Sequence, residues 1–133
     1  MKNKSNFIEF DNTKRIWAIG SIHSNHSSFK SITNYITNNF KKDDKLIFLG
    51  NIIGLGDYAK ETLKEVLQLR FDIMAKFSLK PEDIVFLRGA QEEMFSKILQ
   101  LQIAPNPNEI VKWMFDHGVD KTLNSYGFSR EEV

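Results

Sequence analysis

The 133-residue chain contains no cysteine, which removes disulfides, thiolate catalysis and cysteine-ligated metals from consideration. It lacks an excess of either charge. Eighteen Lys and Arg against seventeen Asp and Glu leave a formal net charge of +1, so nothing in the balance argues for nucleic acid or an anionic membrane as a partner. No apolar stretch reaches transmembrane length. The opening MKNKSNFIEF has lysines but not the apolar centre of a secretory signal, and a cytoplasmic location is the expectation that remains. Internal repeats, linkers and low-complexity tracts are also missing. Proline is scarce, and two of the three, Pro105 and Pro107, fall together where they must interrupt a helix.

What is present suits a single globular domain over residues 1–133, with residues 1–14 as a flexible arm or a short edge strand. Hydrophobic residues make up 41% and charged residues 26% of the chain, enough for one modest core. Three short apolar runs, Arg15–Ile19, residues 45–49 and residues 84–87, each end in glycine and a polar cluster, the pattern of buried strands. Helical spacing follows each run. Ser27 or Ser28 is the expected cap of the first helix, with Phe29, Ile32, Ile36 and Phe40 as its stripe. Asp57 is the expected cap of the second, which runs to about Lys76 with Ala59, Leu63, Val66, Leu67 and Met74 inward. Residues 80–83 form a turn. Met94, Phe95, Ile98 and Leu101 mark a third helix over residues 91–101. A fourth starts near Asn108, buries Ile110, Val111, Met114 and Phe115, and stops at Gly118. Residues 121–127 read as a short polar segment. Strand–helix alternation of this kind predicts an α/β fold with parallel strands and right-handed crossovers, and the strand tips are where such sheets bind ligands.

The residues at those tips carry a resemblance. GSIHSN, GNIIGLG and RGAQEEM look like degraded forms of the three signatures of calcineurin-like metallophosphoesterases: GDxHG, GDxxDRG and GNH followed by Asp or Glu. The flavour is that of serine/threonine protein phosphatases and diadenosine tetraphosphate hydrolases. WMFDHGVDKTLNSYG is similar to a W…GG..TL.SYG segment of bacterial members. The resemblance runs from about Ile16 to Gly127. It implies the βαβαβ half of the family's four-layer α/β/β/α sandwich, in a chain that stops before the second sheet and its histidine ligands.

The resemblance also implies a site for two divalent metals, such as Mn or Fe/Zn, which clamp a phosphate and activate water. The matching metal positions here are Ser21, His23, Asn51 and Ala90, and only His23 keeps its family identity. The catalytic histidine matches Gln91, which cannot act as a general acid near neutral pH. The Asp and Arg of the second signature match Gly54 and Leu55. The backbone-shaping glycines Gly20, Gly50, Gly56 and Gly89 remain. The expectation is a pseudoenzyme without a metal cofactor, acting by binding. The alternatives are a weak metal-dependent phosphoesterase completed by another chain, and a metal-free phosphate or nucleotide binder or structural partner of an active homologue. Arg88, His23 and Asn51 are the candidates for holding an anion, although Arg88 reads equally as half of a strand-end ion pair. His23 reads more plainly as a histidine hydrogen-bonded at a strand end. His26 and His117 read as surface residues, and Trp17 and Trp113 as core or interface packing. Glu92 and Glu93 suit the dipole of the helix they begin. Gly54 and Gly56 lack the third glycine of a nucleotide fingerprint. Strands apolar on both faces need cover on both, so self-association or a partner such as an active full-length homologue is expected.

Overall fold

The computed structural model describes residues 7–132; residues 1–6 of the expected arm lie outside the described residues. Residues 7–14 form no helix or strand, so the described part of the arm is not an edge strand. The elements run β1 (Arg15–Ile19), α1 (His26–Asn39), β2 (Asp44–Phe48), α2 (Ala59–Phe77), a 3-10 turn (Pro81–Asp83) and β3 (Ile84–Phe86). Then come α3 (Ala90–Lys97) with a 3-10 extension (Ile98–Ile103), α4 (Pro107–Asp116), α5 (Val119–Ser125) and a last 3-10 turn (Arg130–Glu132). The protein is therefore a mixed α/β structure.

The three strands are parallel in the order β1-β2-β3. Two crossovers of the same hand that step in the same direction place both helices on one face of the sheet. Trp17 pairs with Leu46 and Leu46 with Ile84; Ile19 pairs with Phe48 and Phe48 with Phe86. Ile19, Leu46, Phe48 and Ile84 from this face form one buried cluster with Phe29 and Ile36 of α1 and Val66, Leu69 and Ile73 of α2. Fully burying each such side chain stabilises the fold by about 1.5–3 kcal/mol.

The neighbouring residues, one step out of phase, point to the opposite face. There Ile16 is 54% exposed, and Leu49 and Leu87 are each 49% exposed. On the same face Lys45 and Val85 are buried and Ile47 is half-buried, so the exposure is concentrated at the β1 edge and the strand tips. α4 and α5 build a second cluster of Met114, Phe115 and Val119, against which Met94, Phe95, Ile98, Leu101, Ile110 and Val111 pack, and α5 rests on α2 and α3.

Several local expectations need correction. β2 starts at Asp44 because that buried carboxylate is a hub: it accepts Arg15 Nε (3.0 Å) and Nη2 (2.6 Å), Trp17 Nε1 (2.9 Å) and the Lys41 N–H (2.9 Å). Asn25, not Ser27 or Ser28, caps α1, its side chain accepting the Ser28 N–H. Asp57 does not cap α2; Tyr58 holds that position and Asp57 pairs with Lys121 at 2.7 Å. Ile32 and Leu67 are exposed, and Thr33 and Leu69 take the inward positions. Residues 119–125 are helical rather than an irregular polar segment, with Val119, Asp120 and Thr122 buried. Trp113 is half exposed, its ring tilted against that of His117 at 4.3 Å, while Trp17 packs against the main cluster.

Candidate functional site

The tips of β1, β2 and β3 meet through backbone first. Gly50 follows β2 at φ +94°, and a Cβ there would lie 2.3 Å from the Gly89 nitrogen. A Cβ on Gly89 would lie 2.3 Å from the Asn51 nitrogen. Only two facing glycines allow this approach. Gly20, by contrast, has open space around it and no such demand. The Asn51 carbonyl accepts the N–H groups of Ile22 and His23, each at 2.9 Å, and the Ile52 carbonyl accepts that of Ser24 at 2.9 Å.

Side chains then tie the tips together. Asn51 has a left-handed backbone, φ 54°, which asparagine tolerates better than most residues. Its Oδ1 accepts the Gln91 N–H at 3.0 Å and its Nδ2 donates to Ser21 Oγ at 3.3 Å. Glu92 Oε2 accepts the N–H groups of Asn51 (2.8 Å) and Gly89 (2.9 Å), and Oε1 those of Ile52 (2.8 Å) and Ile53 (3.3 Å). Burial works to raise the Glu92 pKa, but the Asn51, Ile53, Gly89 and Ile52 N–H groups more than offset it and hold the carboxyl below its ordinary value. This role went unread in the sequence, where Glu92 is only an acid in a first helical turn. Three of its four partners sit some forty residues earlier.

Gln91 is buried. Its Nε2 donates to the His117 carbonyl at 3.0 Å, and its Oε1 has no hydrogen-bond partner among the described residues. Thr122 Oγ1 accepts the Gly54 N–H at 3.1 Å. Gly118, at φ +95°, lets α5 begin against Leu55: a Cβ there would be 2.6 Å from the Leu55 nitrogen. The C-terminal helices are thus latched onto the loop after β2.

A cleft of about 720 Å³ opens beside the tips, lined by His23, Asn25, His26, Leu55 and Tyr58 among others. It lies between the starts of α1 and α2. His26 faces Glu65 at 3.8 Å, half-buried rather than fully at the surface. His23 is hydrogen-bonded at the strand end through its backbone, its N–H donating to the Asn51 carbonyl and its carbonyl accepting the Gly56 N–H, while its buried ring Nδ1 has no partner among the described residues. Of the three anion-holding candidates only His23 borders the cleft. Asn51 is engaged as described, and Arg88 is exposed and pairs with Glu93 at 3.1 Å, the ion-pair reading of that residue.

A pair of dications needs anionic oxygens between them. Ser21, His23, Asn51 and Ala90 supply a hydroxyl, an imidazole, an amide and a methyl group. Glu92, bonded beside them, has both oxygens committed to backbone N–H groups. Among the described residues no three His, Cys, Asp or Glu side chains converge in a way that could hold a metal ion. These residues do not fit a metal pair.

No protein-family model matches the chain, and no curated protein sequence matches it. No helix among the described residues is long and apolar enough to cross a membrane.

Proposed function

We propose that the chain is a non-catalytic binding protein of metallophosphoesterase-like descent, corresponding to the βαβαβ half of that family's sandwich. One observation carries the reading: side chains at the degenerate signature positions bond to one another and to backbone instead of forming a set of anionic ligands. Ser21 and the Gln91 backbone bind the Asn51 amide, and Gln91 binds the His117 carbonyl. The open sheet face with Ile16, Leu49 and Leu87 forms an apolar patch of the kind that marks an interface. A second copy of the chain is its proposed occupant, since a net charge of +1 sets up little repulsion between copies.

The test pairs hydrolysis with assembly. An aryl phosphate with Mn²⁺ is expected to turn over at the buffer rate, and sedimentation at micromolar concentration is expected to show a dimer. Manganese-dependent turnover that disappears in His23→Ala would establish the enzyme reading, with the missing ligands supplied by another chain. A monomer that assembles only with an active relative would replace the second copy by that relative.

A second reading, a metal-free phosphate or nucleotide binder, draws on the cleft between the starts of α1 and α2. The first turn of α1 holds no acidic residue, and Ser24, one of the cleft's lining residues, is 1% exposed with an Oγ that has no partner among the described residues. Titration with inorganic phosphate, followed at the His23 and His26 ring resonances, separates it from the first.

A further inference from the structure

We propose that the strand tips are closed by an internal anion clasp, in which the Glu92 carboxylate is the ligand of a backbone N–H cradle and the Asn51 amide is the bridge. The acid of this clasp is the one the third signature keeps, whereas the Asn51 amide stands where the resemblance puts a metal-bridging carboxylate.

The cradle consists of the N–H groups of Asn51, Ile52 and Ile53 on the loop after β2, with that of Gly89 after β3. Successive backbone N–H groups turned to one side make a concavity that attracts an oxyanion. The anion is supplied from within. Glu92 lies in the first turn of α3, where the helix field also favours a carboxylate. Each of its oxygens takes two N–H groups, one pair joining Asn51 to Gly89 and the other spanning Ile52 and Ile53. A cation could recruit Glu92 only by taking the acceptor away from those four part-buried donors.

The Asn51 side chain completes the closure in the other direction. Its amide has one group that accepts and one that donates, and it uses both: the oxygen on the Gln91 N–H and the nitrogen on Ser21 Oγ. A metal-bridging carboxylate has no donor to offer Ser21. The amide therefore links the loop after β1 to α3 across β2 without any charge that would call for a cation. Carboxylate in the cradle and amide in the bridge together hold all three tips.

The cradle is thus a carboxylate-binding site occupied by the chain's own residue. The inference goes beyond the proposed function, because it holds whatever the chain binds, and no arm of its test reads assembly or hydrolysis.

The experiment is thermal melting of the full chain and of Glu92→Ala, each with sodium formate, sodium acetate or sodium chloride at equal ionic strength. Glu92→Ala is expected to melt about 5 °C or more below the parent, and formate or acetate, but not chloride, is expected to restore part of the loss. An unchanged melting temperature, or equal recovery in chloride, would overturn the clasp. If Glu92→Ala does not fold, Glu92→Gln read by native-state hydrogen exchange serves instead. The amides of Asn51, Ile52, Ile53 and Gly89 are expected to exchange at least about tenfold faster as a group, and unchanged protection there would overturn the proposal. The parent chain is expected to melt at the same temperature with Mn²⁺ as with a chelator, and a rise with Mn²⁺ would show that a metal still takes part in the closure.

Discussion

Glu92 and Asn51 lie forty-one residues apart in the chain, yet the Glu92 carboxylate accepts the Asn51 N–H at 2.8 Å. That bond and its three companions make the ends of β2 and β3 one unit. The charge on one glutamate therefore bears on the geometry of the whole strand-tip region.

A dependence on acid follows. The folded-state pKa of Glu92 is depressed from its ordinary 4.5. Its contribution to stability is thus complete above the unfolded value and is lost as pH falls through the folded one. Asp44 and Asp83 are depressed as well. Burial raises each, and the hydrogen bonds outweigh it, from Arg15, Trp17 and Lys41 for Asp44 and from Lys45 and Lys80 for Asp83. Urea melts between about pH 7 and about pH 3 are expected to show stability falling below the ordinary carboxylate range. In Glu92→Gln the difference from the parent is expected to be largest near neutrality and to shrink as the parent's own carboxylate protonates.

Two glycines at neighbouring strand ends are expected to behave oppositely. Gly50→Ala places a methyl group 2.3 Å from the Gly89 nitrogen at φ +94°, and a loss of about 2–4 kcal/mol is expected. Gly20→Ala meets nothing within 4 Å and is expected to stay within about 0.5 kcal/mol of the parent. Chemical denaturation of the two variants gives both numbers.

The open sheet face supplies a third test. Ile16→Lys combined with Leu49→Lys puts charge on side chains that are already half exposed. Sedimentation is expected to change from dimer to monomer, with binding of a hydrophobic dye reduced and the melting temperature of the monomer little altered. Persistent dimers in the double variant would place the interface elsewhere.

Much of the scaffold was legible before any coordinates. β1 matches its predicted bounds, β2 and β3 lie within one residue of theirs, and the parallel order follows from the alternation of apolar runs with helical spacing. The errors share a cause. Asn25, Ser27 and Ser28 all carry side chains that can cap a helix, and the choice among them depends on where the chain leaves the sheet. Leu67 and Leu69 are equally apolar in sequence, and only packing against the sheet selects Leu69. α5 is not legible as a helix from apolar spacing because its buried residues include Asp120 and Thr122, polar groups made acceptable by Arg130, at 2.7 Å from Asp120, and by the Gly54 N–H. At the candidate site the replaced positions could be read one by one. Their bonding to each other could not, because it runs between residues thirty to forty apart.

The division of the interior into two clusters has a spectroscopic consequence. Trp17 packs on the sheet cluster with its indole N–H held by Asp44, and Trp113 stands half in water on α4, against His117. Each half of the molecule therefore carries its own emitter, one partly buried and one half in water. Single-tryptophan versions would trace two unfolding curves from one chain. The gap between those curves would measure how firmly the links between the halves, the Gly54–Thr122 and Gln91–His117 bonds among them, couple the two.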